Sequence, residues 1–146
     1  MTGNSNELRG LELKPKKLFL HYSLWTVQIL LALAFGIAGC IKMVTPIIDL
    51  ATMMPWTTVA PPYLVRFIGI SEFAAALGLI LPSLTRIKPV LTPWAATGLL
   101  VIMIFAIIFH MSRGEFQMLP ANLVLAALAF FVAYGRFRKA PIASRH

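Results

Sequence analysis

The run from Tyr63 to Pro82, YLVRFIGISEFAAALGLILP, restricts the fold more than any other stretch of the chain. As a helix rising about 1.5 Å per residue it spans about 30 Å, the thickness of a bilayer's hydrocarbon core. Yet it carries Arg66 and Glu72. A charge at mid-bilayer costs about 2.5–3.5 kcal/mol, and Glu72 lies near mid-depth. Such a group has to face protein, water or a ligand. Helical spacing puts Val65, Gly69, Glu72, Ala76 and Leu79 on one side, with Ala75 nearby. That small-sided face lets a neighbouring helix approach closely. Glu72 then either locks the bundle as a buried pair or protonated carboxyl, or marks a functional site. Arg66, six residues away, is separated from it by about 9 Å of rise. Lys42 or a bridging water is the nearer candidate partner.

Three further apolar runs are long enough to span. The expected spans are 22–43, 63–81, 91–110 and 119–136. With 59% hydrophobic and 12% charged residues, the 146-residue chain has a membrane composition and one domain, 1–146. Residues 1–20 read as a polar, flexible tail. The apolar run after Lys14, Lys16 and Lys17 continues to Ile41, too long for a signal-peptide core, so the first span is expected to stay uncleaved. Gly36, Gly39 and Cys40, with Ala32, form a small stripe on span one. Lys42 closes that span with a stem long enough to snorkel outward. Gln28, near its inner end, is expected to bond a neighbour.

The net charge of +8 is distributed unevenly. Ten of the thirteen Lys and Arg fall in the amino-terminal segment, the 83–90 loop and the carboxyl tail, and one, Arg113, falls in a loop on the opposite side. The positive-inside rule then places both termini in the cytoplasm and gives an all-α, up-down-up-down, transmembrane four-helix bundle. Anionic headgroups, not nucleic acid, account for the basic balance. The connection 44–62 is broken by Pro46, Pro55, Pro61 and Pro62. It is too apolar for free solvation and is expected to fold over the bundle mouth, with a short helix in PIIDLATMM.

Threading the spans brings Lys42, Arg66, His110 and Asn122 to the outer third, with Glu72 beneath them. Helix ends often carry polar residues, so each alone says little. Together they outline a cup with a basic rim and an acidic floor. A bis-histidine haem needs a second histidine at matched depth, but His21 is at the inner edge and His146 is terminal. Zinc needs three or four clustered ligands, and none is apparent. Met43, Met53, Met54, Met111 and Met118 fall on the outer side near Cys40 and His110, a set suited to Cu(I). Methionine is equally a packing residue, and no MxxM-type repeat appears. One cysteine excludes an internal disulfide or a CxxC redox pair. Ser71 has no base arranged beside it, and no nucleotide-binding loop is present. A quinone-like head fits the cup: its carbonyls want Lys, Arg, His or Asn donors, and a carboxylate can exchange the proton.

The stretches AFGIAGCIKM with Pro46, MPW at 54–56, PPYLVRFIGISEFAAALGLILP, TRIKPVLTPWAATGLLVIMIFAIIFH, RGEF and the last span ending AYGRFRK resemble the DoxX-like family of small four-helix membrane proteins. The resemblance covers roughly residues 22–139, and the RxxGxxE pattern from Arg66 to Glu72 is its most specific part. It implies a four-helix fold in a bacterial plasma membrane and a link to quinone-dependent redox systems. Lys42, Arg66, Glu72, His110 and Asn122 are the positions carried over as its polar core. With no intrinsic redox motif, the expected role is an accessory, quinone-binding component of such a system. The alternatives are a ligand-free structural or chaperone-like partner and a small transporter using Glu72 as its proton site. Expected partners are the bilayer, redox-complex subunits and a second copy of the chain.

Overall fold

The structure, a computed structural model of the chain, describes the backbone of residues 5–145 and the side chains from residue 14 onward. Five α-helices follow in order: α1 (Ser5–Val44), α2 (Ile47–Met53), α3 (Pro62–Thr85), α4 (Leu91–Ser112) and α5 (Leu119–Tyr134). Single 3-10 turns occupy Pro55–Thr58 and Phe116–Met118, and a π turn, Gly135–Lys139, continues α5. There is no strand among the described residues. Four helices are long and apolar enough to cross a membrane, so the chain is an all-α, multi-pass integral membrane protein.

Two expected boundaries need correction. The polar segment before residue 21 is helical from Ser5 onward, not a flexible tail; residues 1–4 and 146 lie outside the described residues. Its Glu, Leu, Arg and Lys residues are good helix formers. Extending an existing helix needs no new nucleus, and that outweighs Pro15 inside it. Likewise α3 does not stop at Pro82 but runs to Thr85. Pro82 removes one backbone donor, and the Gln28 amide supplies one beside the break by donating to the Leu79 carbonyl at 2.8 Å.

The face deduced for α3 is the buried one: Val65, Gly69, Glu72, Ala76 and Leu79 all point inward. α1 packs against α3, α3 against α4 and α4 against α5, with α5 closing more loosely on α1. Leu31, Phe35, Leu79, Ala96, Leu99, Met103 and Val132 fill the centre. Leu33, Ile37, Phe67, Phe105 and Val124 face outward and contact lipid. This is the converse of a soluble bundle, and water could not tolerate so continuous an apolar surface.

The two ends of the bundle differ. At one, which we call the capped end, the connection 44–62 folds over the helices, anchored by fully buried Leu50 and Thr57. Proline limits this segment to α2 and a single 3-10 turn. At the other, the basic end, lie the 86–90 loop and the carboxyl-terminal segment. Backbone N–H of Arg145 donates to the Arg86 carbonyl at 3.0 Å, folding that segment back onto the loop.

Candidate functional site

A cavity of about 720 Å³ opens beneath the cap. Its walls are apolar: Phe35 of α1, Leu64 and Phe67 of α3, Phe105 and Phe109 of α4, and Leu125 of α5. Trp56 and Ala60 of the connection close it from above, and Trp56 packs edge-to-face on Phe109 with ring centroids 6.3 Å apart. Phe67 and Phe105 line the cavity and are also about two-thirds exposed, so it opens sideways between α3 and α4 toward lipid. Those helices meet tightly at the other end, where a Cβ on Gly78 would lie 2.8 Å from that of Ala95.

Besides Ser112, whose hydroxyl donates to the Phe109 carbonyl at 2.7 Å, four polar residues line this apolar space: Lys42, Glu72, His110 and Asn122. Lys42 Nζ and Glu72 Oε2 form an ion pair of 2.7 Å with both side chains more than 90% buried. Lys42 therefore does not snorkel outward; a bilayer-depth carboxylate on the neighbouring helix is a better partner than distant water. His110 is buried, and its Nδ1 lies 2.7 Å from Glu115 Oε2. Arg113 Nε donates to the other oxygen, also at 2.7 Å. These hydrogen bonds, His110 first and Arg113 second, hold the Glu115 carboxyl below its ordinary range. An ionised carboxylate only accepts, so Nδ1 carries the proton and Nε2 is the ring nitrogen left for another partner. Asn122 Nδ2 is buried with no acceptor among the described residues. A buried unpaired donor is costly, about 1–3 kcal/mol.

Arg66 does not join them. It donates instead to the backbone carbonyl of Lys42, one of the last four carbonyls of α1, which have no partner within the helix. The RxxGxxE pattern is thereby a clamp on the end of α1. Arg66 caps it, Gly69 lies against it, and Glu72 takes the Lys42 ammonium. The three-residue steps keep all three on the side of α3 that α1 crosses. Of the five expected cup residues, four line the cavity, and Arg66 acts from behind through Lys42.

Of the outer-side methionines, Met43, Met53, Met111 and Met118 are exposed and Met54 is half-buried, and the methionine on the cavity wall is Met103. Cys40 is also exposed, off the α1–α3 contact that Gly36 and Gly39 make. Among the described residues no three His, Cys, Asp or Glu side chains gather as metal ligands. Ser71 Oγ donates to the Phe67 carbonyl of its own helix at 2.8 Å.

Sequence reasoning missed Glu115, although the spacing of Arg113 and Glu115 after His110 was visible. It also missed a second polar centre toward the basic end. Thr92 Oγ1 and Ser83 Oγ are 2.8 Å apart, Gln28 Nε2 reaches Ser83 at 3.4 Å, and Arg136 Nε donates to Gln28 Oε1 at 2.6 Å. All four side chains are buried, and they come from α4, α3, α1 and the turn after α5. Gln28 was the signal: an amide inside an apolar span needs partners.

No curated protein and no solved structure matches the chain. A family model described as the DoxX-like family matches residues 26–132, which include Lys42, Arg66, Glu72, His110 and Asn122. With that match running through all four membrane-spanning helices, the chain belongs to the DoxX-like family.

Proposed function

We propose that the cavity under the cap holds a small lipophilic molecule with a quinone-like head, and that the protein is an accessory component of a membrane redox system. The Asn122 donor, without a partner among the described residues and set in a largely apolar cavity, carries this reading. Pockets of this kind, apolar with a few convergent polar groups, are where ligands bind. A quinone supplies carbonyl acceptors when oxidised and hydroxyl donors when reduced. Asn122 Nδ2 donates to a carbonyl. His110 Nε2 accepts from a hydroxyl when neutral and donates when protonated, and Glu115 holds the ring in place. Lys42 and Glu72 set a polar floor whose charges cancel. The opening between Phe67 and Phe105 lets an apolar tail remain in lipid.

A short-chain quinone analogue added to protein in nanodiscs should bind saturably. Asn122→Leu and His110→Phe should each weaken it about threefold to tenfold, the value of one hydrogen bond, with thermal unfolding confirming an intact fold. Absence of binding to the wild type, or binding unchanged in both variants, overturns the quinone reading.

The same proposal places the protein in a bacterial plasma membrane with the capped end outside and both termini in the cytoplasm. The ten-to-one bias of loop and terminal cations supports that orientation. In a Cys40→Ser background, an impermeant thiol reagent added outside intact cells should label a cysteine at exposed Thr58 but not one at exposed Ser144. The reverse pattern inverts the orientation.

A further inference from the structure

At the basic end a second cavity, about 630 Å³, lies between the 86–90 loop and the folded-back carboxyl-terminal segment. Its walls include Lys88, Arg136, Ser144 and Arg145. Arg136 is only 3% exposed. Its described hydrogen-bonding partners are all neutral: Nε donates to Gln28, and Nη1 donates to the Ala140 carbonyl at 3.2 Å and lies 3.4 Å from His21 Nδ1. The guanidinium stacks over Trp25, with its carbon 5.6 Å from the ring centroid. Nη2 is buried and has no acceptor among the described residues. Among residues with described side chains, the carboxylates are Asp49, Glu72 and Glu115. Glu72 is paired with Lys42, Glu115 with His110 and Arg113, and Asp49 is in α2 at the capped end. Buried charges are ordinarily paired, and here the space beside the charge is a cavity rimmed by more cations.

The backbone reinforces this arrangement. Arg86 and Lys88 both have positive φ, 59° and 47°, in the left-handed region where glycine is less strained. The bond from Arg145 N–H to the Arg86 carbonyl holds the opposite wall in register. Positive-inside bias accounts for exposed cations such as Arg138 and Lys139, but it does not call for a buried one. Arg136, Ser144 and Arg145 also lie outside the residues that match the family model.

We propose that this cavity is a binding site for a phosphate-bearing anion, with Arg136 as its buried counter-charge and Lys88 and Arg145 as its rim. Basic pockets between spanning helices suit phosphate headgroups, and a guanidinium fork matches phosphate oxygens. The anion is either an anionic lipid headgroup or a soluble phosphate. The site is separate from the cavity under the cap, so its fate is independent of the quinone reading.

Full-length protein in nanodiscs of phosphatidylcholine doped with phosphatidylglycerol, read by native mass spectrometry, tests the lipid source. Inorganic phosphate titrated onto detergent-solubilised protein, read by thermal unfolding, tests the soluble one. Wild type is expected to retain phosphatidylglycerol over phosphatidylcholine. Lys88→Ala/Arg145→Ala, at two exposed positions and with an intact fold checked by thermal unfolding, should reduce retention about tenfold, as expected for lost charged hydrogen bonds. Arg138→Ala/Lys139→Ala should leave it unchanged. Stabilisation of wild type by inorganic phosphate, lost in Lys88→Ala/Arg145→Ala, supports the site with a soluble occupant. The proposal is overturned if neither probe binds wild type, if Lys88→Ala/Arg145→Ala binds as well as wild type, or if both double variants lose binding equally.

Discussion

Lys42→Met alone should destabilise the bundle by about 3–5 kcal/mol, and Glu72→Leu alone by a similar amount, because each leaves its partner as an uncompensated buried charge. The double variant Lys42→Met/Glu72→Leu should recover most of that loss. The pair is 2.7 Å long, and both side chains are almost wholly buried. Two apolar side chains of similar volume suit that position without any charge to desolvate. The comparison separates two roles. If the pair only locks α1 to α3, the double variant folds and also keeps ligand binding in the cavity. If the pair serves as the polar floor of the site, the double variant folds but binds a quinone analogue more weakly. Unfolding of the four proteins in detergent gives the cycle. Additive losses in the double variant would show that Lys42 and Glu72 do not interact.

What the sequence made legible follows from periodicity. The inward face of α3 emerged residue by residue because helical spacing is rigid and the face holds Gly69, Ala76 and a charge that lipid rejects. Lys42, Glu72, His110 and Asn122 line one cavity because threading the spans fixes depth along the bundle. Depth is not direction, however. Arg66 has the right depth, yet its side chain goes to the Lys42 carbonyl, and spacing along α3 says nothing about a backbone acceptor on α1. Arg136 was hidden for a different reason. Charge bias read it as one more cytoplasmic cation beside Arg138 and Lys139, but the π turn after α5 directs it inward onto Gln28. Glu115 sits in a loop, where periodicity carries no information, and only the folded turn brings it to His110. The helical start at Ser5 is not legible from polarity, which suggests a flexible tail, although the residues there favour helix.

Gly39→Ala should be among the most damaging single-methyl changes in the chain, while Gly36→Ala, one turn away, should be nearly neutral. A Cβ on Gly39 would lie 2.7 Å from both the Gly69 carbonyl oxygen and the Phe73 nitrogen, and 3.2 Å from the Glu72 Cβ. The two closest atoms are backbone, so no rotamer change relieves the overlap and α3 itself has to move. Overpacking of this kind costs about 1–3 kcal/mol. The cost rises here because the displacement also lengthens the Lys42–Glu72 pair and the Arg66 cap, which share the same crossing. At Gly36 the nearest atom to an added Cβ is that of Ala76 at 3.6 Å, an ordinary contact. The methyl there also gains up to about 1 kcal/mol of helix propensity. Gly69→Ala meets the same obstacle from the other side, at 2.8 Å from the Lys42 Cβ and 2.9 Å from the Gly39 carbonyl. Gly39→Ala/Gly69→Ala should therefore cost less than the sum of its parts, since the first methyl has already opened the crossing that the second needs. Thermal unfolding of the four variants decides the matter. Equal stability of Gly39→Ala and Gly36→Ala would mean that α1 and α3 do not cross at Gly39, and the RxxGxxE clamp would lose its physical basis.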